Sequence, residues 1–456
     1  MENIIWGCKM DLYLLIITLL SIVLVIVGVS VFKWHAFISL LMASLFLAIF
    51  SGMNFTEIVG AFETGVGGQL GHLIGILALG TILGKLLAES GAGLQIANFF
   101  IKVFGEKKLP WAMFASGFII GIPVFFEVGI LILLPLIISI QQSTKKNILL
   151  IGLPAIAGLS IVHGLVPPHP GAVAAIGIYG ADLGTVLLYS LLIAIPSGIL
   201  GGPLFAKMIA KMVKPQGEPE LLQKSEAVEE EEEVVTMPSV LVSFFSILLP
   251  VLLMVVGTIS TSLTKNETAQ GVLEFIGAPL ISLLISVFFA TYVLGYMRGR
   301  SRKTIKKFIE ECLLPVGSIA LIVGAGSGFK QILIESGVGT MIGEMAQDMS
   351  WSPLVLAFFI AGLIRIATGS ATVALTTAAG IVAPIIESMS GVNLELLVIV
   401  TGAGSLMFSH VNDAGFWMVK EYLGLTIEET FKTWTVLETI LSFTAFAFAL
   451  ILNAFL

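Results

Sequence analysis

The sequence predicts an all-α polytopic membrane protein, built as an inverted-topology repeat with two re-entrant hairpins and two discontinuous transmembrane helices. Three observations carry this reading. The 456 residues are 57% hydrophobic and 12% charged, where a soluble domain carries about 25% charged residues. Apolar runs long enough to cross a hydrocarbon core of about 30 Å recur from end to end. The two halves of the chain also share the same interruptions, in the same order and at a nearly constant offset.

In chain order, crossings are expected at 12–32, 34–52, 67–88, 147–179, 184–206, 239–260, 273–297, 308–330, 394–424 and 433–455. The first is too long for the apolar core of a signal peptide and lacks a small-residue cleavage site, so it reads as a retained span. Segments 92–106 and 338–350 read as short interfacial helices, each preceding a hairpin. Lys107 and Lys108, then Lys145 and Lys146, then Lys207, Lys211 and Lys214, and finally the cluster from Arg298 to Lys307 all belong on the cytoplasmic side. Segment 110–142 then has both ends inside and a break at Gly121-Ile122-Pro123, as a hairpin entering from the cytoplasm would. Segment 351–388 is flanked by Asp348 and Glu387 and is expected to enter from outside, with both chain termini also outside. Segments 147–179 and 394–424 are long and interrupted mid-way.

The repeat rests on three matches. "GKLLAESGAGLQIANFF" (84–100) aligns with "KQILIESGVGTMIGEMA" (330–346), placing Glu89 over Glu335 at an offset of about 246 residues. "GIPVFFEVG" (121–129) then faces "RIATGSATV" (365–373), and "IVHGLVPPHPG" faces "FSHVNDAGFW", with His163 over His410. The expected organisation is N-terminal scaffold helices (1–66), a first repeat (67–214), an acidic cytoplasmic linker (215–238), further scaffold helices (239–307) and a second repeat (308–456). The net charge of −7 lies mostly in the stretch 215–235, which holds eight Glu and one Lys. Such a composition reads as a solvated linker.

Several chemistries are not expected. Cys8 and Cys312 have no motif spacing, so neither a disulfide nor a metal framework follows. "GTILGKL" (80–86) is too short for a phosphate-binding loop and has Leu86 where Ser or Thr is required. Neither H-E-x-x-H nor G-x-S-x-G occurs, so the chain does not read as an enzyme. Asn266-Glu267-Thr268 fits a glycosylation sequon, a short pattern that is frequent by chance. Glu63, His72 and His35 read as interfacial.

The interruptions carry the chemistry. Non-helical backbone at membrane depth must be satisfied by protein or by a water-filled cavity. Half-helix N-termini at such breaks direct partial positive charge at an anion, and Pro167, Pro168 and Pro170 remove three N–H donors from one break. The ionisable residues at the breaks are Glu127, His163, His169, Arg365, His410 and Asp413. Charges at membrane depth are functional candidates by default. Arg365 is suited to a carboxylate through its planar fork, or to an intramembrane ion pair with Glu127 or Asp413. Thr368, Ser370, Thr372, Thr376 and Thr377 are nearby hydroxyls that can serve a ligand or their own helix backbone. Glu127 and Asp413 are candidate proton sites, as are His163, His169 and His410.

The motifs "GIPVFFEVG", "GLSIVHGLVPPHPGAVAA", "RIATGSATVALTTAAGIVAP" and "SHVNDAGFWMVKEYLGLT" together resemble the gluconate permease family, over nearly the whole chain from Leu12 to Leu456. The resemblance implies a proton-coupled symporter of gluconate or a related small acid, such as idonate, fructuronate or D-serine, in the bacterial inner membrane. It also implies an elevator-like movement of a transport domain against a dimeric scaffold. Its motif residues carry over as Glu127, His163, His169, Arg365, Thr368, Ser370, His410, Asn412 and Asp413. The expected substrate-binding set is Arg365, Thr368, Ser370, Thr372, Asn412, His163, His169, Gly121 and Pro123. The expected proton-coupling set is Glu127, Asp413 and His410. Partners are the sugar acid, protons, the lipid bilayer and a second copy of the chain, with no nucleic acid and no cofactor. A sodium-coupled carboxylate carrier, with Asn412 and Ser409 among its ligands, and an anion channel are the competing readings.

Overall fold

The computed structural model describes residues 2–215, 217, 236–258, 260–338, 352–387, 389, 391–411 and 413–456, and every regular element among them is helical. The expected acidic linker and the expected helix at 338–350 lie almost wholly outside the described residues, and Asn412 lies outside them too.

The first helices are α1 (Glu2–Ser30), α2 (Ala36–Phe50), α3 (Phe55–Glu89) and α4 (Ala92–Phe104). A helix–break–helix pair follows, α5 (Leu109–Gly121) and α6 (Phe126–Thr144), then a broken helix, α7 (Leu149–Leu165) and α8 (Pro170–Tyr179). The middle of the chain supplies α9 (Leu183–Met212), α10 (Val240–Thr258), α11 (Glu267–Gly277) and α12 (Pro279–Arg298), with single π turns inside α9 and α12. The long α13 (Arg302–Glu335) leads to a second helix–break–helix pair, α14 (Pro353–Thr368) and α15 (Ala371–Glu387). A second broken helix, α16 (Leu394–Ser405) and α17 (Ala414–Tyr422), precedes the last span, α18 (Ile427–Asn453).

Among the described residues, six helices are by themselves long and apolar enough to cross a bilayer, and α3, bent by 43°, makes a seventh. The six are α6, the combined α7–α8, α9, α10, α12 and α18. The expected crossings at 12–32 and 34–52 fall on shorter apolar helices, Tyr13–Val29 and Ala36–Phe50. The crossing expected at 394–424 is the pair of short helices α16 and α17. Two differences from the sequence reading have local causes. α3 begins well before residue 67, because Gly60, Gly65, Gly67 and Gly68 dilute its hydropathy without breaking it. Gly65 lies against the backbone carbonyl of Ser327 on α13, where any side chain would collide, so tertiary packing keeps the helix going where propensity alone would not. α6, expected as one limb of a hairpin, is also long enough to span by itself.

The four breaks sit where Pro and Gly interrupt the sequence. α5 stops at Gly121, and Pro123 separates it from α6. α7 stops before the Pro167-Pro168 peptide, which is cis, and Pro170 occupies the first position of α8, where a missing N–H costs nothing. α14 ends on Gly369 at φ +75°, a left-handed conformation that glycine adopts without steric penalty. The break between α16 and α17 includes Phe408 at φ 48°, an uncommon backbone state for a bulky residue.

Packing is tightest around the broken helices. The apolar window of Leu149–Tyr179 is 89% buried, against 33–44% in the other five spans, so α7–α8 runs through the protein interior while the others leave much of their surface uncovered. A large core joins α3 to α10 and α12 to α18. A second core joins α1, α2, α3 and α13 to α14 and α15. α7 crosses α5 at a glycine: a Cβ on Gly158 would lie 2.6 Å from the carbonyl oxygen of Phe114. α16 crosses α14 in the same way, with Gly404 against the carbonyl of Phe358.

Candidate functional site

A cavity of about 160 Å³ opens where three of the four breaks meet. That is the order of volume that holds a six-carbon ring, about 150 Å³. Its wall includes the first turns of three helices: Phe126 and Glu127 on α6, Ser370, Ala371 and Thr372 at α15, and Asp413, Ala414 and Gly415 at α17. Helix N-termini carry unpaired N–H groups and about half a positive charge each, so their convergence favours an anion.

Arg365 comes from the last turn of α14 and is 4% exposed. Its Nη2 donates to Oδ2 of Asp413 at 2.5 Å. Its Nε and Nη1 are buried and have no hydrogen-bond partner among the described residues. An unmet buried donor costs roughly 1–3 kcal/mol, more when charged, so those two nitrogens mark the place for an absent acceptor. Asp413 is fully engaged by comparison. Its Oδ1 caps α17 by accepting from the Gly415 amide at 2.8 Å, and its Oδ2 also accepts from Ser409. Trp434 Nε1 donates to Ser409 Oγ at 2.7 Å, which ties α18 into the same network. Of the two options the sequence left open for Arg365, the ion pair is with Asp413, and it leaves donors to spare.

The remaining expected residues divide into two groups. His163, Ser370, Thr372 and Glu127 line the cavity with Arg365 and Asp413. His163 Nδ1 is buried without a hydrogen-bond partner, and its ring meets that of His169 edge-on at 4.9 Å. Ser370 Oγ accepts from the Val373 amide at 3.3 Å, capping α15. Gly121, Pro123, Thr368, His169 and His410 stand behind the cavity wall. Thr368 Oγ1 donates to its own helix at Ile364. His169 Nε2 donates to the Gly121 carbonyl at 2.6 Å, and His410 Nε2 to the Ile366 carbonyl at 2.9 Å. Each of these histidines thus holds the end of a helix that precedes a break. By role, His410 corresponds to His169, whereas the sequence alignment places it over His163.

One lining group is absent from the sequence-derived set. Glu438, from the middle of α18, is 1% exposed and lines the cavity, and its Oε1 accepts from Ser160 Oγ of α7 at 2.5 Å. The signal was present: it is a carboxylate inside the expected span 433–455, and such a residue is a functional candidate in its own right. No break or motif surrounds it. The charged wall therefore comprises one guanidinium and three carboxylates, Glu127, Asp413 and Glu438. No group of three or more metal-ligating side chains occurs among the described residues.

Comparison with known proteins gives a consistent picture. A gluconate permease of Pseudomonas aeruginosa is 45% identical over 449 residues, covering 98% of this chain and 99% of that protein. The Gnt-II system L-idonate transporter of Escherichia coli is 39% identical, over 97% and 99% of the two chains. Among solved structures, the YdaH transporter of Alcanivorax borkumensis superposes with a TM-score of 0.63 at 14% identity, over 88% of this chain and 90% of that one. That superposition concerns the fold alone: an all-helical, multi-span membrane architecture. The family model for GntP family permeases matches residues 13–455. This chain, with its broken helices around a buried arginine, is a multi-pass membrane transporter and belongs to the GntP family of permeases.

Proposed function

We propose that this protein carries gluconate or a related small sugar acid together with protons, by alternating access. The observation that carries the proposal is Arg365, which lines the cavity and whose Nε and Nη1 are buried with no acceptor among the described residues. The carboxylate of the sugar acid lies against Arg365 and the first turn of α15. Its hydroxyls bond His163, Ser370 and Thr372, with Asn412, Thr368 and His169 completing or backing the set. Relatives named for gluconate and L-idonate transport point to the same substrate class.

The charge inventory supports proton coupling. With Asp413 neutralising Arg365, Glu127 and Glu438 are uncompensated when ionised. Each would oppose an anion by about 3 kcal/mol at a separation of about 6 Å and an effective dielectric of about 20, roughly a hundredfold in affinity. Protonating either of them removes its share of that opposition, so substrate and proton bind with mutual benefit. Glu127 is exposed toward the cavity and is the first candidate. Asp413 and His410 serve to hold Arg365 and the α14 end in place.

The inverted repeat, with α5–α6 and α14–α15 as re-entrant hairpins, is part of the same proposal. Two paired contacts support it: Gly158 on Phe114 with Gly404 on Phe358, and His169 on Gly121 with His410 on Ile366. We assign the hairpins and broken helices to a moving body. α1–α3 and α10–α13 form a scaffold, which pairs with a second copy of the chain in an elevator-type cycle. Uptake of labelled gluconate into proteoliposomes under a pH gradient, and separately under a sodium gradient, tests the coupling. Accumulation with the pH gradient alone is expected, and accumulation that needs sodium refutes it. Arg365→Ala should abolish uptake at normal expression; normal transport by that variant removes Arg365 from the site.

A further inference from the structure

We propose that Glu438 is a proton-carrying side chain of the transport cycle, taking up a proton as the sugar acid binds and releasing it on the opposite side. The inference rests on the symport reading above and adds to it a residue that no break or motif marks. Glu438 is buried in the membrane-spanning α18, yet it lines the same cavity as Arg365. Its one hydrogen bond among the described residues is from a neutral hydroxyl, that of Ser160. No cation is paired with it among the described residues, whereas Asp413 has both a guanidinium and a backbone amide. A carboxylate permanently ionised at this depth would be paired.

The groups facing it can be named element by element. α7 brings Ser160 and His163, and the α16–α17 break brings Asp413, with Arg365 attached from α14. α6 brings Glu127, with Phe126 against Trp434 one turn before Glu438. α9 brings no ionisable side chain to the cavity, and the Glu428, Glu429 and Lys432 of α18 itself do not line it. Lys432 is paired with Glu428 at 2.6 Å, and Glu429 closes a capping box with Thr426. Ser160 can donate to the ionised carboxylate or accept from the protonated one, since a hydroxyl does both. The bond therefore survives the change of charge, as a carrier of protons requires.

The test is Glu438→Gln, a neutral side chain of the same shape, in proteoliposomes. Counterflow exchange of labelled gluconate should persist, while accumulation driven by a pH gradient falls at least about tenfold. Retained accumulation overturns the proposal, and so does joint loss of exchange and accumulation, because the amide mimics the protonated carboxyl. A second readout needs no substrate: the infrared band of a protonated carboxyl that titrates in the wild-type protein should be missing from Glu438→Gln, and its persistence overturns the assignment. Should wild-type protein show no counterflow with any sugar acid, the substrate reading fails, and the infrared band still decides on Glu438. Ser160→Ala guards against misfolding of the first variant. It keeps the carboxyl and removes its hydrogen bond, so it should move the midpoint of the pH dependence of accumulation, and an unmoved midpoint counts against the proposal.

Discussion

At the scale of single residues, the buried pair of Arg365 and Asp413 sets the character of the site. Its two side chains are 4% and 13% exposed, so neither charge can turn to bulk water when the other is lost. Asp413→Asn keeps an oxygen for the Gly415 amide but leaves the guanidinium uncompensated. Breaking a buried pair in this way costs about 3–5 kcal/mol, so the variant should unfold at clearly lower temperature in detergent. An unshifted transition would show that another anion already neutralises Arg365. Much of this site was legible in the sequence, because an ionisable residue in an apolar run stands out. Arg365, Asp413, His163 and Glu127 were each visible in that way. What could not be read was which charges meet. Arg365 and Asp413 come from different elements, and Glu438 meets Ser160 across 278 positions of sequence. Such distances are fixed by helix packing, which composition does not encode.

At the scale of elements, the breaks were the most legible feature. Proline and glycine act through backbone rules that hold in any context, so breaks could be placed at 121–123, within 161–171 and within 365–373. Gly369 shows the rule at its strictest. Its φ of +75° excludes other residues at low energy, and Gly369→Ala should cost about 1–2 kcal/mol. Loss of thermal stability of that order, together with weakened gluconate uptake, is the expected outcome, and a variant as stable as wild type would show that the tip relaxes. Helix extent was harder to read. The start of α3 was obscured because glycines lower local hydropathy, although one of them, Gly65, lets α3 and α13 pack closely.

At the scale of the whole molecule, the central question is which parts move against which. Gly326 on α13 and Thr376 on α15 are closely apposed: a Cβ on Gly326 would lie 3.7 Å from that of Thr376, close to the spacing of about 3.8 Å found in disulfides. Cysteines at both positions should cross-link on oxidation. If α15 travels against α13, the oxidised protein stops transporting and reductant restores it. Undiminished uptake after complete cross-linking would fix α13 and α15 in one body and redraw the scaffold. An elevator-like division into scaffold and moving body is what the family resemblance implies, with scaffold helices expected at 1–66 and 239–307. Its boundary depends on interfaces such as this one, whose small residues resemble those of any tightly packed helix pair.

The bonds from His169 to Gly121 and from His410 to Ile366 have one more consequence. A carbonyl oxygen can only accept, so the ring nitrogen facing it keeps its hydrogen whether the imidazole is neutral or cationic. Neither fastening therefore depends on whether its ring carries a second proton. If protons are the coupling ion, as proposed above, the same residue type that elsewhere senses pH serves here as a fixed joint.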